Sequence, residues 1–105
     1  MLLPKVVDGV KCMSFGFVAN QPATLRGPMA SSIISQLILQ TKWEILDYLI
    51  IDMPPGTGDV NLNMCEEVKL DGAVIVTTPQ RLSFVDVLKG IKMFQDLRVR
   101  ILAIV

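Results

Sequence analysis

Residues 47–59 read DYLIIDMPPGTGD, and this stretch decides the fold. A short apolar run at residues 48–51 is closed by Asp52 and then by Pro54 and Pro55, which cannot continue a sheet ladder. The pattern predicts a buried strand of the parallel kind over residues 48–52. Because open parallel sheets bind ligands beyond the carboxyl ends of their strands, the chemistry is expected where this strand ends.

The same kind of pattern continues toward the C-terminus. Residues 72–77 and 100–105 are two more apolar runs that predict buried strands. Between them, Ser83 and Asp86 have the spacing of a capping box, and apolar residues at helical spacing predict a helix after it. Those apolar residues are Phe84, Leu88, Ile91 and Phe94. A shorter helix is predicted from Asp59 or Val60 toward Glu67.

On the N-terminal side, residues 9–17 alternate in a way that predicts a strand. Pro28 stands where a helix can begin without losing a donor, and the apolar residues that follow share one helical face. They are Ile33, Ile34, Leu37 and Ile38. Strands separated by helices make βαβ units. The predicted fold is α/β, part of a doubly wound parallel sheet with helices on both faces. A parallel strand as apolar as residues 100–105 needs cover on both faces, and the predicted elements of this chain supply only part of it.

Composition excludes several classes of protein. Val, Ile and Leu make up 35 of the 105 residues, which is too many for a disordered chain. Polar residues interrupt every candidate membrane span, and ten basic residues balance ten acidic ones, so neither a membrane nor a nucleic acid is an expected partner. The chain has two cysteines, 53 residues apart, and no histidine, which excludes the usual zinc spacings and histidine-based catalysis.

The end of the strand at residues 48–52 is the candidate site. A carboxylate at Asp52 is placed to hold Mg²⁺ through water. Gly56 and Gly58 let backbone N–H groups approach a phosphate, and a helix that begins near Asp59 adds its own donors. The alternative is a Pro/Gly turn in which Asp52 and Asp59 only cap the helix or face solvent.

Residues 47–59 resemble the Walker B and switch II segment of the Mrp/ApbC-type P-loop ATPases, which are iron–sulfur cluster carriers in the MinD/ParA-like superfamily. Further stretches agree in order and spacing, namely residues 10–17, 26–29, 73–80 and 86–94. The resemblance covers nearly the whole chain and is closest to the eukaryotic branch that includes the plastid-type scaffold. It implies a P-loop NTPase fold of the MinD/ParA-like kind, incomplete at both ends.

The resemblance also implies a set of site residues for ATP and Mg²⁺. Asp52 takes the Mg²⁺-water role, and Asp52 and Asp59 are the implied catalytic residues. The implied nucleotide-binding residues are Pro54, Pro55, Gly56, Thr57 and Gly58, together with Pro79 and Gln80, which would border the base or the dimer surface. A simple helix-entry turn is the alternative at Pro79 and Gln80.

For the whole protein, the resemblance implies a homodimer around ATP that carries a [4Fe–4S] cluster to apoprotein clients and works with other cluster-assembly proteins. Residues 1–105 are then expected to be the central part of a single P-loop ATPase domain. The family's glycine-rich lysine loop is expected before residue 1 and its Cys-Pro-x-Cys pair after Val105, so the isolated chain is expected to hydrolyse no ATP and to hold no cluster. No targeting segment is readable, and the location is cytoplasmic or organellar, in plastid or mitochondrion.

Two alternatives remain at this stage. One is a ParA/MinD-like positioning ATPase that uses nucleotide-dependent dimerisation to bind a surface or a partner protein. The other is a truncated product that binds no nucleotide and serves as an interaction module.

Overall fold

A computed structural model describes residues 2–18, 27–54 and 58–105. The strands are β1 (Lys5–Val7), β2 (Val10–Cys12), β3 (Ala73–Ile75) and β4 (Ile101–Ile104), and the helices are α1 (Phe15–Val18), α2 (Gly27–Leu39), α3 (Asp59–Glu67) and α4 (Arg81–Asp96). The chain divides into two compact units, Met1–Asp52 and Met53–Val105, which are described separately.

The first unit begins with a hairpin where the sequence predicts one strand over residues 9–17. β1 and β2 pair antiparallel, with Val7 opposite Val10. Asp8 and Gly9 both have positive φ, 50° and 80°, as a tight two-residue hairpin turn requires. The predicted strand is therefore wrong at both ends. The turn takes Gly9 out of it, and α1 begins at Phe15.

α2 confirms the helix predicted to follow Pro28. The four apolar residues predicted to share a face are half-buried, whereas Ser32 and Gln36 are exposed. Beyond the helix, the indole Nε1 of Trp43 donates to the carbonyl of Ile38 at 3.0 Å, and the Thr41 hydroxyl donates to the carbonyl of Leu37. These bonds satisfy carbonyls that the last turn of a helix leaves without a backbone donor.

The predicted strand over residues 48–52 is wrong in this structure. The segment pairs with no strand among the described residues, and the side chains of Tyr48 and Ile50 are 84% and 86% exposed. An apolar run does not determine which backbone lies beside it or which layer covers it. A strand needs a neighbouring backbone to form its hydrogen-bond ladder. Asp52 therefore ends a largely exposed segment and not a buried strand.

The second unit contains the parallel pair that the sequence predicts. β3 and β4 lie side by side with Ala73 opposite Ile101 and Ile75 opposite Ile104, and an irregularity follows Ala73. The predicted strands at residues 72–77 and 100–105 are confirmed, although both are shorter. α3 also lies where the short helix is predicted.

α4 confirms the helix predicted between residues 72–77 and 100–105, but not its capping box. The helix begins at Arg81, and its N-cap is Gln80, which makes no side-chain cap hydrogen bond. The helix therefore starts three residues earlier than the Ser83 pattern indicates. Of the four apolar residues predicted to share a face, Phe84 and Leu88 are exposed, Ile91 packs against the core and Phe94 is buried.

The core of this second unit lies between α4 and the parallel strands. Ile75, Met93 and Phe94 are its buried residues, and side chains from α3 and both strands pack against them. Helices and strands with a parallel pair make the α/β class predicted from the sequence. None of the helices in the described ranges is long and apolar enough to cross a membrane.

Candidate functional site at the N-terminus of helix α3

The entry to α3 is the best defined part of the candidate site. Gly58 is the N-cap, with φ −76° and ψ −178°, and it makes no side-chain cap hydrogen bond. Its carbonyl accepts from the backbone N–H groups of Asn61 and Leu62 at 3.1 and 3.2 Å. The side chain of Asp59, the first residue of the helix, is exposed and lies in the first turn, where a negative charge interacts favourably with the helix dipole.

Asn61 ties the entry of α3 to the segment before it. The residue is 3% exposed, and its Nδ2 donates to the carbonyl of Pro54 at 3.0 Å. Sequence reasoning missed this residue because an asparagine within a helix resembles any solvated polar position. The available signal was its place as the third residue of α3, from which side chains reach back over a helix N-terminus.

A second feature lies at the carboxyl end of β3. An open cleft of about 340 Å³ is lined by Ile75, Val76, Thr77, Thr78, Asp86 and Val87. The backbone N–H of Thr77 donates to the carbonyl of Val105 at 2.8 Å, which extends the parallel pairing to the mouth of this cleft. The carboxyl end of a parallel strand is where such sheets bind ligands. Pro79 and Gln80 follow directly and are exposed.

The structure places the remaining predicted site residues as follows. Asp52 is exposed at the end of the first unit, and Pro54 and Gly58 are exposed on either side of the motif's centre. Pro55, Gly56 and Thr57 lie outside the described residues. Among the predicted residues, Pro54 and Gly58 are brought together, because both of their carbonyls accept from Asn61.

The donor set fits a magnesium nucleotide better than a metal cluster. Mg²⁺ keeps most of its water and takes one or two carboxylates from a protein, and Asp52 has an exposed carboxylate of this kind. Among the residues that the structure describes, no group of three or more Cys, Asp or Glu side chains is placed to hold a metal ion. Cys12 on β2 and Cys65 on α3 are free and half-buried. Burial, and to a lesser extent Glu66, raises the pKa of the Cys65 thiol, which disfavours the thiolate that binds iron.

Comparison with known proteins decides the family. A sequence model of the ParA group described as NUBPL iron-transfer P-loop NTPase matches residues 1–105. The chain belongs to this family. The match extends over both units, and it includes every residue that the sequence assigns to the site.

Several curated relatives are similar over almost the entire chain. The Fe-S cluster assembly factor HCF101, chloroplastic, of Oryza sativa subsp. japonica is 54% identical over 104 residues, which cover 99% of this chain and 20% of the relative. The iron-sulfur cluster carrier protein of Rickettsia felis is 49% identical, and the iron-sulfur cluster transfer protein NUBPL of Dictyostelium discoideum is 48% identical. Each of these two alignments covers 99% of this chain and 33% of the relative.

This NUBPL-type chain therefore spans a fifth to a third of the length of these relatives. The resemblance to cluster-carrier P-loop ATPases, stated above from residues 47–59 and four further stretches, is confirmed by the family match. The α/β fold class is confirmed with it, because the family is one of P-loop NTPases.

Proposed function

We propose that this chain is part of an ATP-binding iron–sulfur cluster carrier, which assembles [4Fe–4S] clusters and transfers them to apoproteins. The observation that carries the proposal is the identity of about half of its residues, over 99% of its length, to relatives named as cluster carriers and assembly factors. The site residues of the proposal are those near the entry of α3 and after β3.

Asp52 is the proposed anchor for Mg²⁺, held through a bound water. Its side chain is exposed, so a hydrated ion reaches the carboxylate without displacing protein atoms. Mg²⁺, when bound, neutralises charge on the phosphate oxygens during phosphoryl transfer. Asp52 contributes a fixed negative charge that orients the water. Asp59, in the first turn of α3, is the second proposed catalytic residue and supports the switch.

The backbone from Pro54 to Gly58 is the proposed contact for the γ-phosphate. Gly58, the N-cap of α3, has no side chain to occupy the N–H groups of the first turn, and these groups are the proposed donors to the anion. Pro54, Pro55, Gly56, Thr57 and Gly58 are the proposed phosphate-facing residues. Proline at two successive positions stiffens the chain, and glycine lets the backbone approach closely.

Pro79 and Gln80 are proposed to border the base or the surface where two subunits meet. The cleft beside Thr78 supports a ligand at this end of β3, since its walls combine threonine hydroxyls with apolar side chains. A homodimer around ATP is proposed for the full-length protein.

The cluster itself is proposed to bind outside this chain. The two cysteines lie on separate elements, and the pKa of Cys65 is raised, so neither supplies the paired thiolates that a cluster needs. Apoproteins and other cluster-assembly proteins are the proposed partners. A cytoplasmic or organellar location is proposed, and the chloroplastic name of the rice relative supports the plastid.

The test replaces Asp52 by asparagine in the full-length protein. Removing the charge while keeping the volume is expected to lower both ATP turnover and ATP-dependent cluster delivery by about 10- to 100-fold, the usual loss for a group that orients a metal's ligands. The measurements are the ATPase rate, the transfer of a [4Fe–4S] cluster to an apoprotein, and the melting temperature, on the same preparations.

Asp47→Asn is the matched control, because Asp47 is exposed on the same segment and the charge loss is identical. The control is expected to keep turnover and delivery. Normal turnover in Asp52→Asn would reduce Asp52 to a turn residue, and a collapse of its melting temperature would make the residue structural. ATP turnover without cluster delivery in the unsubstituted protein would favour a positioning ATPase.

A further inference from the structure

Asn61 makes two hydrogen bonds to the two described ends of the proposed phosphate-facing segment. Its side-chain Nδ2 donates to the Pro54 carbonyl at 3.0 Å, and its backbone N–H donates to the Gly58 carbonyl at 3.1 Å. One residue on the first turn of α3 therefore holds positions 54 and 58 together. Asn61 is 3% exposed, so water has little access to its amide group.

The chemistry of proline makes the side-chain bond important. Pro54 and Pro55 have no N–H, so the backbone here has only carbonyl oxygens with which to bind the rest of the protein. Within the part of the chain that the structure describes, the amide of Asn61 donates to the Pro54 carbonyl. Loss of the amide donor therefore removes a direct restraint on the backbone at Pro54.

The helix that carries Asn61 is itself anchored in the core. Leu62, the next residue, packs against the cluster of Ile75, Met93 and Phe94. Met53, the residue before Pro54 in the sequence, packs against the same cluster. The two hydrogen bonds of Asn61 therefore hold the backbone at Pro54 and Gly58 in place relative to this packed helix. A side chain that connects a rigid element to a binding segment in this way sets where the segment's atoms lie.

We propose that Asn61 is a positioning residue for ATP hydrolysis. It holds Pro54 and Gly58 at the separation that the γ-phosphate contact requires. This inference rests on the proposed function, because it assigns Asn61 a role in the nucleotide site described there. Asn61 acts through the backbone of Pro54 and Gly58 and does not itself contact the nucleotide.

The decisive variant is Asn61→Asp. Aspartate has almost the same size, but a carboxylate only accepts, so it repels the Pro54 carbonyl where the amide donates to it. Asn63→Asp is the matched control, with the same substitution two residues further along α3. Asn61→Ser, which is too short to reach Pro54 and carries no charge, replaces the aspartate variant if the latter does not fold.

The first measurement is hydrogen exchange on the full-length protein without nucleotide. Loss of one hydrogen bond is expected to speed exchange of the amides of Asn61 and Leu62, which donate to the Gly58 carbonyl, by about 5- to 10-fold in Asn61→Asp, with a smaller change in Asn63→Asp. The second measurement is ATP turnover. We expect kcat to fall by about 10- to 100-fold while KM for ATP changes less than about threefold, because a misplaced γ-phosphate contact affects the reacting group more than the rest of the nucleotide.

The outcomes separate this inference from the proposed function. Unchanged exchange in Asn61→Asp overturns the inference, and so does faster exchange with unchanged kcat, while the unsubstituted protein still hydrolyses ATP in both cases. Equal losses of kcat in Asn61→Asp and Asn63→Asp also overturn it, since they indicate a general effect on α3. An unsubstituted protein without ATP turnover overturns the proposed function and the inference with it.

Discussion

Cys65 illustrates how far single residues depend on what surrounds them. It lies on α3 and packs against the core, and burial raises the pKa of its thiol, with Glu66 adding a smaller increase. The protonated form is therefore favoured in the folded protein. Because thiolate is the species that binds metals and reacts with electrophiles, Cys65 is a packing residue with low reactivity.

The pH profile of Cys65 alkylation tests this interpretation. In a Cys12→Ser background, the rate of reaction with iodoacetamide is expected to rise at a higher pH in the folded protein than in the urea-unfolded chain. The thiol of the unfolded chain ionises near pH 8.5, as cysteine does in peptides. Glu66→Gln removes the negative neighbour and is expected to move the profile partly back toward lower pH. Mass spectrometry of the alkylated fraction over about pH 7 to pH 10 gives the profile.

Glu67→Gln is the control for that experiment, because it removes the same charge one position later and Glu67 is not among the causes of the shift. An identical profile in Glu66→Gln and in the parent would contradict the electrostatic contribution. A native profile that matches the unfolded one would contradict the burial effect.

The candidate site shows what residue-level reasoning can predict. Asp52, Asp59 and Gly58 were identified from their place after an apolar run, because charge and turn residues are visible in a sequence. Asn61 was not, since its importance comes from burial and from a bond to a carbonyl seven positions earlier, which no local pattern encodes. The roles assigned to the other residues remain predictions.

At the scale of elements, local patterns predicted helices better than strands. α2, α3 and α4 lie where proline, spacing and turn residues placed them, because helical hydrogen bonds close within four residues. Strands depend on distant partners. The apolar runs at residues 73–75 and 101–104 pair with each other, whereas residues 48–52, which also contain an apolar run, have no strand partner among the described residues.

The end of α4 gives a prediction at this scale. Arg98 has φ +58°, and the backbone N–H groups of Arg98 and Val99 donate to the carbonyls of Gln95 and Phe94, which is the pattern of a Schellman motif. The left-handed position of such a motif favours glycine. Arg98→Gly is therefore expected to stabilise the protein by about 1 kcal/mol, because relief of backbone strain exceeds the added entropy of the unfolded chain.

Urea unfolding of the parent, Arg98→Gly and Arg98→Lys measures this effect. The lysine variant keeps the Cβ atom and the positive charge, and its free energy of unfolding should match that of the parent. A glycine variant less stable than the parent would show that the arginine side chain contributes more than the strain costs.

At the scale of the whole molecule, few of the apolar side chains that the structure describes are buried. The buried hydrophobic side chains among the described residues are Met64, Ile75, Met93 and Phe94, all in the second unit. Large apolar side chains are exposed in both units, and Ile45 is 94% exposed. Apolar surface of this extent normally contacts further protein, which fits a chain that corresponds to a fifth to a third of its relatives.

The isolated 105-residue chain is expected to hydrolyse no ATP above background. None of its lysines lies in a glycine-rich loop of the kind that cradles the β- and γ-phosphates. Phosphoryl transfer depends on positioning, so Asp52 and the backbone near Gly58 do not suffice to orient a triphosphate. Turnover per molecule should lie at least about 100-fold below that of the full-length protein in the same Mg²⁺-containing assay.

The control is the isolated chain with Asp52→Asn, because contaminating ATPases are indifferent to this substitution. Magnesium-dependent turnover by the purified chain that disappears in Asp52→Asn would show that these 105 residues contain a complete phosphate site, and the need for a lysine loop elsewhere would then be wrong.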